Sequence, residues 1–190
     1  MISISFSRRG WLCVVLLGVM PATLLRAQSA KPSEYEVKAA YLHNFGKFVR
    51  WPESATAEGQ SFSICVLGKD PFGKILDTIL EGASWQGKPV AAKRIAAVED
   101  AAACNLLFVS SSESERLGQI LSALGKRPIL TVSDAPQFSR RGGAIEFVLS
   151  ENRVRFEVNA GAAEKAGLDI NSQLLKIATR VRQAPRVGEP

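Results

Sequence analysis

Histidine is almost missing from this chain of 190 residues, where His43 is the only one. A nucleophile-histidine relay and a histidine-rich zinc site both lose their usual parts. No GxSxG elbow, histidine base or paired-carboxylate motif accompanies the serines and acids that are present. No internal repeat, low-complexity tract or heptad run occurs, so solenoids and coiled coils are excluded. These absences point to a binding protein, not an enzyme, with no cofactor and no metal site, and His43 reads as hydrogen-bonded or solvent-facing.

Arg8 and Arg9 precede the apolar run Gly10 to Leu25, and Leu25-Arg26-Ala27 follows as a cleavage site. The run is short for a membrane span, so residues 1–27 read as a signal peptide cleaved near Ala27, with a retained anchor as the alternative. Ser7 to Leu12 partly matches a twin-arginine export signal, beside the ordinary Sec route. Leu12 is too bulky to precede a lipoprotein cysteine at Cys13. Cleavage removes Arg8, Arg9 and Arg26 and no acidic residue, halving the formal charge of +6. The remainder is too small and dispersed for nucleic acid. Residues 28–182 are then one domain with a real core, and 183–190 a disordered tail.

Losing Cys13 leaves Cys65 and Cys104, an even number in an oxidising compartment. Cys65 lies in the strand-like SFSICVLG and Cys104 just before NLLFVS, so neighbouring strands can bring them together. A disulfide is expected, with two buried free thiols as the alternative.

Ser33 and Glu36 form a capping box before a helix on which Val37, Tyr41, Phe45 and Phe48 recur at helical spacing, with Lys38 and Lys47 turned away. Trp51-Pro52 ends it. Strands are expected at Ser61–Leu67, Lys88–Ile95, Asn105–Ser110 and Pro128–Val132, and helices at Lys74–Leu80 and Ser112–Leu124. NLLFV and PILTV are nearly continuously apolar, the mark of parallel strands covered on both faces. Gly68 to Ile75 has the spacing of a phosphate-binding loop, but Ile75 lacks the hydroxyl, Asp70 repels phosphate and Pro71 removes an amide. It reads as a strand-to-helix turn.

Ile145, Phe147 and Leu149 alternate with polar residues, as do Val154, Phe156 and Val158. With Glu151-Asn152 as the turn, Leu149 faces Val154, Phe147 faces Phe156 and Ile145 faces Val158. Ala160 to Leu168 reads as a helical turn ended by Gly167. Asn171 or Ser172 then caps a closing helix whose stripe is Leu174, Ile177, Ala178 and Val181. The fold class predicted is α/β: a three-layer αβα sandwich on a mainly parallel sheet resembling half a Rossmann fold, with a C-terminal β-hairpin and closing helix.

EYEVKAAYLHNFGKFVRWP and GGAIEFVLSENRVRFEVNAGAAEKAGLDINSQLLKIA resemble the N- and C-terminal signatures of the YfiR family, small exported proteins of Gram-negative bacteria. The resemblance spans about Ser33 to Val181. It implies a periplasmic protein that binds the periplasmic sensor domain of an inner-membrane diguanylate cyclase and holds it inactive, lowering cyclic-di-GMP. An outer-membrane partner would relieve that inhibition, and a homodimer is a further option. Some relatives carry another cysteine pair near the glycine loop. SRRGGAIE has none, so a switch resting on that pair does not carry over.

Ser110 to Ser112, Ser133 and Asp134 read as solvated caps and turns. The loop Pro136 to Gly143 suits a protein contact through Arg140 and Arg141, while Phe138 either joins that contact or tucks into the core. The candidate partner surface comprises Phe138, Arg140, Arg141, Glu157, Asn159, Leu168 and Ile170. The alternatives are a small-ligand carrier using the strand-end crevice, or an accessory subunit of an outer-membrane transport system.

Overall fold

The first helix begins where its cap is written. The Ser33 hydroxyl accepts from the Glu36 amide at 3.3 Å, and the Glu36 carboxylate accepts from the Ser33 amide at 2.6 Å. The computed structural model describes residues 31–56 and 61–183. The expected signal peptide and residues 184–190 of the expected tail lie outside them.

Helix α1 (Glu34–Phe45) leads through a short 3-10 turn to β1 (Val49–Arg50), β2 (Phe62–Leu67), α2 (Lys74–Leu80), β3 (Ser84–Trp85) and β4 (Lys88–Ile95). Next come β5 (Leu106–Val109), α3 (Leu117–Leu124), β6 (Leu130–Ser133), β7 (Ile145–Ser150) and β8 (Arg153–Asn159). The chain closes with α4 (Ala160–Lys165), β9 (Asp169–Ile170), α5 (Ser172–Ile177) and β10 (Arg180–Arg182).

Eight strands form one sheet in the order β10-β8-β7-β6-β5-β2-β4-β3. Strands β4, β2, β5, β6 and β7 run parallel in a doubly wound order, and β8 returns antiparallel beside β7. Every residue of β2, β5 and β6 is buried, so both faces need cover. Ile64, Val66, Leu106 and Phe108 pack towards α1, α2 and α5, while Cys65, Leu67, Leu107 and Val109 pack towards α3. The three-layer expectation is met. The connection from β6 to β7 carries no helix, and Phe138 from that loop fills the α3-side layer instead.

The hairpin takes the expected register, Leu149 opposite Val154, Phe147 opposite Phe156 and Ile145 opposite Val158. Glu151 and Asn152 have φ of 50° and 57°, the paired positive values of a two-residue turn matched to strand twist. Gly167, at φ +73°, ends α4.

Three readings need correction. The closing helix stops at Ile177, and Arg180–Arg182 becomes an edge strand parallel to β8, leaving Ile177 61% exposed. The Thr179 amide and hydroxyl both bond the Phe156 carbonyl at 2.9 Å, diverting the chain from helix into the sheet. Residues Ser111–Arg116 form a 3-10 helix, so the α-helix starts at Leu117. On α1 the buried residues are Lys38, Ala39, Leu42 and Phe45, whereas Val37, Tyr41 and Phe48 are half-buried. Lys38 points inward because two carboxylates receive it there. His43 is half-buried, and its Nδ1 is enclosed without a hydrogen-bond partner. Burial, and then the charge of Lys47, hold its pKa below the ordinary value.

Cys65 and Cys104 form a disulfide on the α3 face, with Cα atoms 5.9 Å apart and a sequence separation of 39. A loop of that length makes the cross-link worth about 4 kcal/mol through the unfolded chain. The Cys65→Ser, Cys104→Ser pair should lower unfolding stability by roughly 2–4 kcal/mol in urea titrations, and the reduced wild type should match it.

Candidate functional site

Ligands of doubly wound sheets gather where strand order reverses, here at the carboxyl ends of β2 and β5. That position is filled. A β-carbon on Gly68 would lie 2.7 Å from Ser112 and Glu113, and the Lys69 amide donates to the Ser112 hydroxyl at 3.0 Å. Asp70, the residue set against phosphate, accepts from the Phe72 amide at 2.8 Å and from Arg94 Nε at 2.9 Å. Arg94 also forks onto Asp77 at 2.6 and 2.7 Å. The phosphate-loop look-alike is a clipped turn.

The loop from β6 to β7 is held from beneath by one carboxylate. Glu146 is buried, and its oxygens accept from the amides of Gln137 (2.8 Å) and Ser139 (2.9 Å) and from the Ser139 hydroxyl (2.8 Å). Asn159 adds a second tie, its Nδ2 donating to the Ser139 carbonyl at 2.8 Å while its Oδ1 caps α4 through the Ala162 amide at 3.0 Å. Phe138 is fully buried, and a β-carbon on Gly143 would sit 2.0 Å from its ring. Gly142 takes φ +103° to close the turn. The glycines therefore serve a tight, packed loop.

The candidate partner residues separate accordingly. Phe138, Leu168 and Ile170 are core residues at 0%, 2% and 8% exposure and offer no contact surface; Ile170 is spent on pairing with Val49. Asn159 is occupied by its cap and its tie to the loop. Glu157 is half-buried and pairs with Arg182 at 3.3 Å and with Arg180 at 3.7 Å. Arg140 and Arg141 are exposed, and Arg141 donates to the Ser114 carbonyl at 2.7 Å. What the fold does assemble here is a cleft of about 530 Å³ between α3, the loop and α4, lined by Arg140, Lys165, Arg182 and Asn159. Among the described residues, Arg140 and Lys165 have no ion-pair partner. Lys165 on α4 and Arg182 on the edge strand are lining residues that sequence reasoning missed, the second because it took the edge strand for helix.

A second group lies where α1 begins. The Asp134 side chain, 9% exposed, follows β6, and its Oδ2 accepts from Lys38 Nζ at 2.8 Å and from the Tyr35 hydroxyl at 3.3 Å. Lys38 also meets Glu34 at 2.5 Å and lies 4.5 Å from the Tyr35 ring centre. Burial pulls the Lys38 pKa down, but hydrogen bonds to Asp134 and Glu34 outweigh it and hold the ammonium above its ordinary 10.5. Burial and then the Asp134 charge raise Tyr35. Asp134 Oδ1 is buried without a partner, an omission that costs on the order of 1–3 kcal/mol. The expectation of a solvated turn at Asp134 is replaced by a buried ion-pair cluster.

Among the described residues no three His, Cys, Asp or Glu side chains are placed to hold a metal ion. A family model described as YfiR/HmsC-like matches residues 35–179, and the chain belongs to that family. The resemblance carried by the two signature segments is thereby borne out. A crystal structure of a conserved domain protein from Vibrio cholerae O1 biovar El Tor strain N16961 aligns with a TM-score of 0.55 and 13% identity. The match covers 79% of this chain and 60% of that one, and at this identity it bears on the fold alone. No described helix is long and apolar enough to cross a membrane.

Phe138→Ala should cost roughly 3–5 kcal/mol in urea unfolding, because it empties the α3-side layer, while Arg140→Ala should stay within about 0.5 kcal/mol. The Lys38 cluster adds a pH dependence. A folded-state value above the unfolded one gives stability that is complete below pH 10.5 and lost as pH rises through the folded value, and Tyr35 acts with the same sign. Wild-type stability should therefore decline in alkaline buffer above that point, and Lys38→Met should flatten the decline.

Proposed function

We propose that this protein is a periplasmic regulatory binding protein that represses a membrane-bound diguanylate cyclase by engaging the cyclase's periplasmic sensor domain. Membership of the YfiR/HmsC-like family across residues 35–179 carries this reading. The contact surface is revised from the sequence expectation. It centres on Arg140 and Lys165, which line the basic cleft, together with the exposed Arg141 next to Arg140 in the loop, and it takes acidic groups of the receptor. The clamped loop supports this reading, since a pre-ordered surface loses little conformational entropy on binding. A preference of about 3 kcal/mol for the inactive receptor is enough to shift its population roughly a hundredfold. An outer-membrane protein that covered the same surface would relieve the repression by competition.

The double substitution Arg140→Glu, Arg141→Glu tests the surface. Calorimetric titration of the exported protein into the purified sensor domain should show affinity reduced by about tenfold or more, with a steep salt dependence in the wild type only. The melting temperature should hardly move. A large loss of stability would show that the arginines are structural, and unchanged affinity would remove this surface from the account.

A further inference from the structure

The basic cleft between α3, the loop from β6 to β7 and α4 is a concave space as well as a surface. Its volume of about 530 Å³ lies within the roughly 300–1,000 Å³ of small-molecule sites. Arg140 from the loop, Lys165 from α4 and Arg182 from β10 line it, and no lining residue is acidic. All three cations are open to solvent: Arg140 and Lys165 are exposed, and the Arg182 side chain is 27% exposed. Gly161 and Ala162, which also line the cleft, stand four and three residues before Lys165 on α4. Side chains of a helix lean back over the preceding turn, so Lys165 overlies the face that these two residues turn to the cleft.

The wall is fixed before any ligand arrives. Arg182 Nε donates to the Ser139 hydroxyl and its Nη2 to Glu157, both at 3.3 Å, while Nη1 has no partner among the described residues. The register sets Arg182 beside Asn159, whose Nδ2 is committed to the Ser139 carbonyl at 2.8 Å. Strand, loop and α4 are thus tied through Ser139, and the arginine presents its free edge in one orientation. The charge is not balanced. Glu157 is shared between Arg182 and Arg180, and the buried Glu146 lies beneath the loop. Against these two carboxylates stand Arg140, Lys165, Arg180 and Arg182, which leaves two positive charges unneutralised.

We infer that this cleft binds a phosphate monoester, its phosphoryl oxygens shared among Arg140, Lys165 and the free edge of Arg182. A carboxylate presents two oxygens in one plane, whereas a phosphate monoester presents three around a tetrahedron and carries close to two negative charges. Three cations arriving from a loop, a helix and a strand match the second geometry, and the surplus charge matches the dianion. The same chemistry is offered by a soluble phosphate ester and by the headgroup of an anionic phospholipid. Because Arg140 and Lys165 also belong to the proposed receptor surface, an occupied cleft excludes the receptor; that consequence rests on the regulator reading, and the binding itself does not.

The test is a titration of the isotope-labelled exported protein, without any sensor domain and at constant ionic strength, with glycerol 3-phosphate, succinate and uncharged glycerol, followed by amide resonances. Co-sedimentation with phosphatidylcholine vesicles, with and without phosphatidic acid, supplies the lipid arm. Saturable shifts around Ser139, Asn159, Lys165 and Arg182 are expected with glycerol 3-phosphate at a midpoint below about 5 mM, with succinate at least about fivefold weaker. Arg140→Gln and Lys165→Gln change exposed residues that the core does not need, and each should weaken binding about fivefold or more. Arg153→Gln removes the same charge at the far end of β8, about 20 Å along the strand, and should leave the midpoint within about twofold. Saturation by glycerol 3-phosphate identifies a soluble ester, and sedimentation with phosphatidic acid alone identifies a lipid headgroup; both support the proposal. It is overturned if neither binds, if succinate or glycerol binds equally well, if Arg140→Gln and Lys165→Gln both bind as tightly as the wild type, or if Arg153→Gln weakens binding as much as they do.

Discussion

The architecture depends on three short strands that are buried on both faces. Every residue of strands β2, β5 and β6 is buried and most are apolar, so the fold exists only if each face is covered. Helices α1, α2 and α5 cover one face; α3 and the Phe138 loop cover the other. Each fully buried Leu, Ile, Val or Phe contributes about 1.5–3 kcal/mol, so no single surface charge competes with this layer packing. Polar groups are thereby pushed to the strand ends, where backbone ladders stop and loops begin.

Two carboxylates show how differently those ends are used. Glu146 has every oxygen engaged by the loop that replaces a crossover helix, and its role is to hold that loop in one shape. Asp134 is nearly as enclosed but only half engaged, with one oxygen in the Lys38 and Tyr35 cluster and the other without a partner. A satisfied buried acid fixes structure, whereas a half-satisfied one costs stability. The two acids lie at the ends of adjacent strands, so the clamped loop and the Lys38 cluster are neighbours.

Much of this was legible in the chain itself. The hairpin register followed from strict alternation on both strands, and the parallel core followed from nearly continuous apolar runs. The capping box fixed the start of α1. Lys38 was not legible, because helical spacing alone turns a lysine outward and its partner Asp134 is 96 residues away. Phe138 could be placed only once Glu146 was seen to pin the loop against α3. The edge strand Arg180–Arg182 has one apolar residue and no β-pattern of its own; it is a strand because β8 offers it a ladder. Leu168 and Ile170 sit in a segment whose polar neighbours suggested surface, yet antiparallel pairing with Val49 and Arg50 and packing against the core bury both side chains.

The picture is of a packed module with a basic cleft lined by arginine and lysine on its α3 side and a buried Lys38–Asp134 cluster at the start of α1. The central functional claim is repression of a cyclase through its periplasmic domain. The most direct measurement is the rate of cyclic-di-GMP formation by the full-length cyclase reconstituted in vesicles, with this protein added on the sensor side. The account predicts saturable inhibition with a midpoint equal to the dissociation constant for the sensor domain. A rate that stays constant while the two proteins demonstrably bind would contradict it.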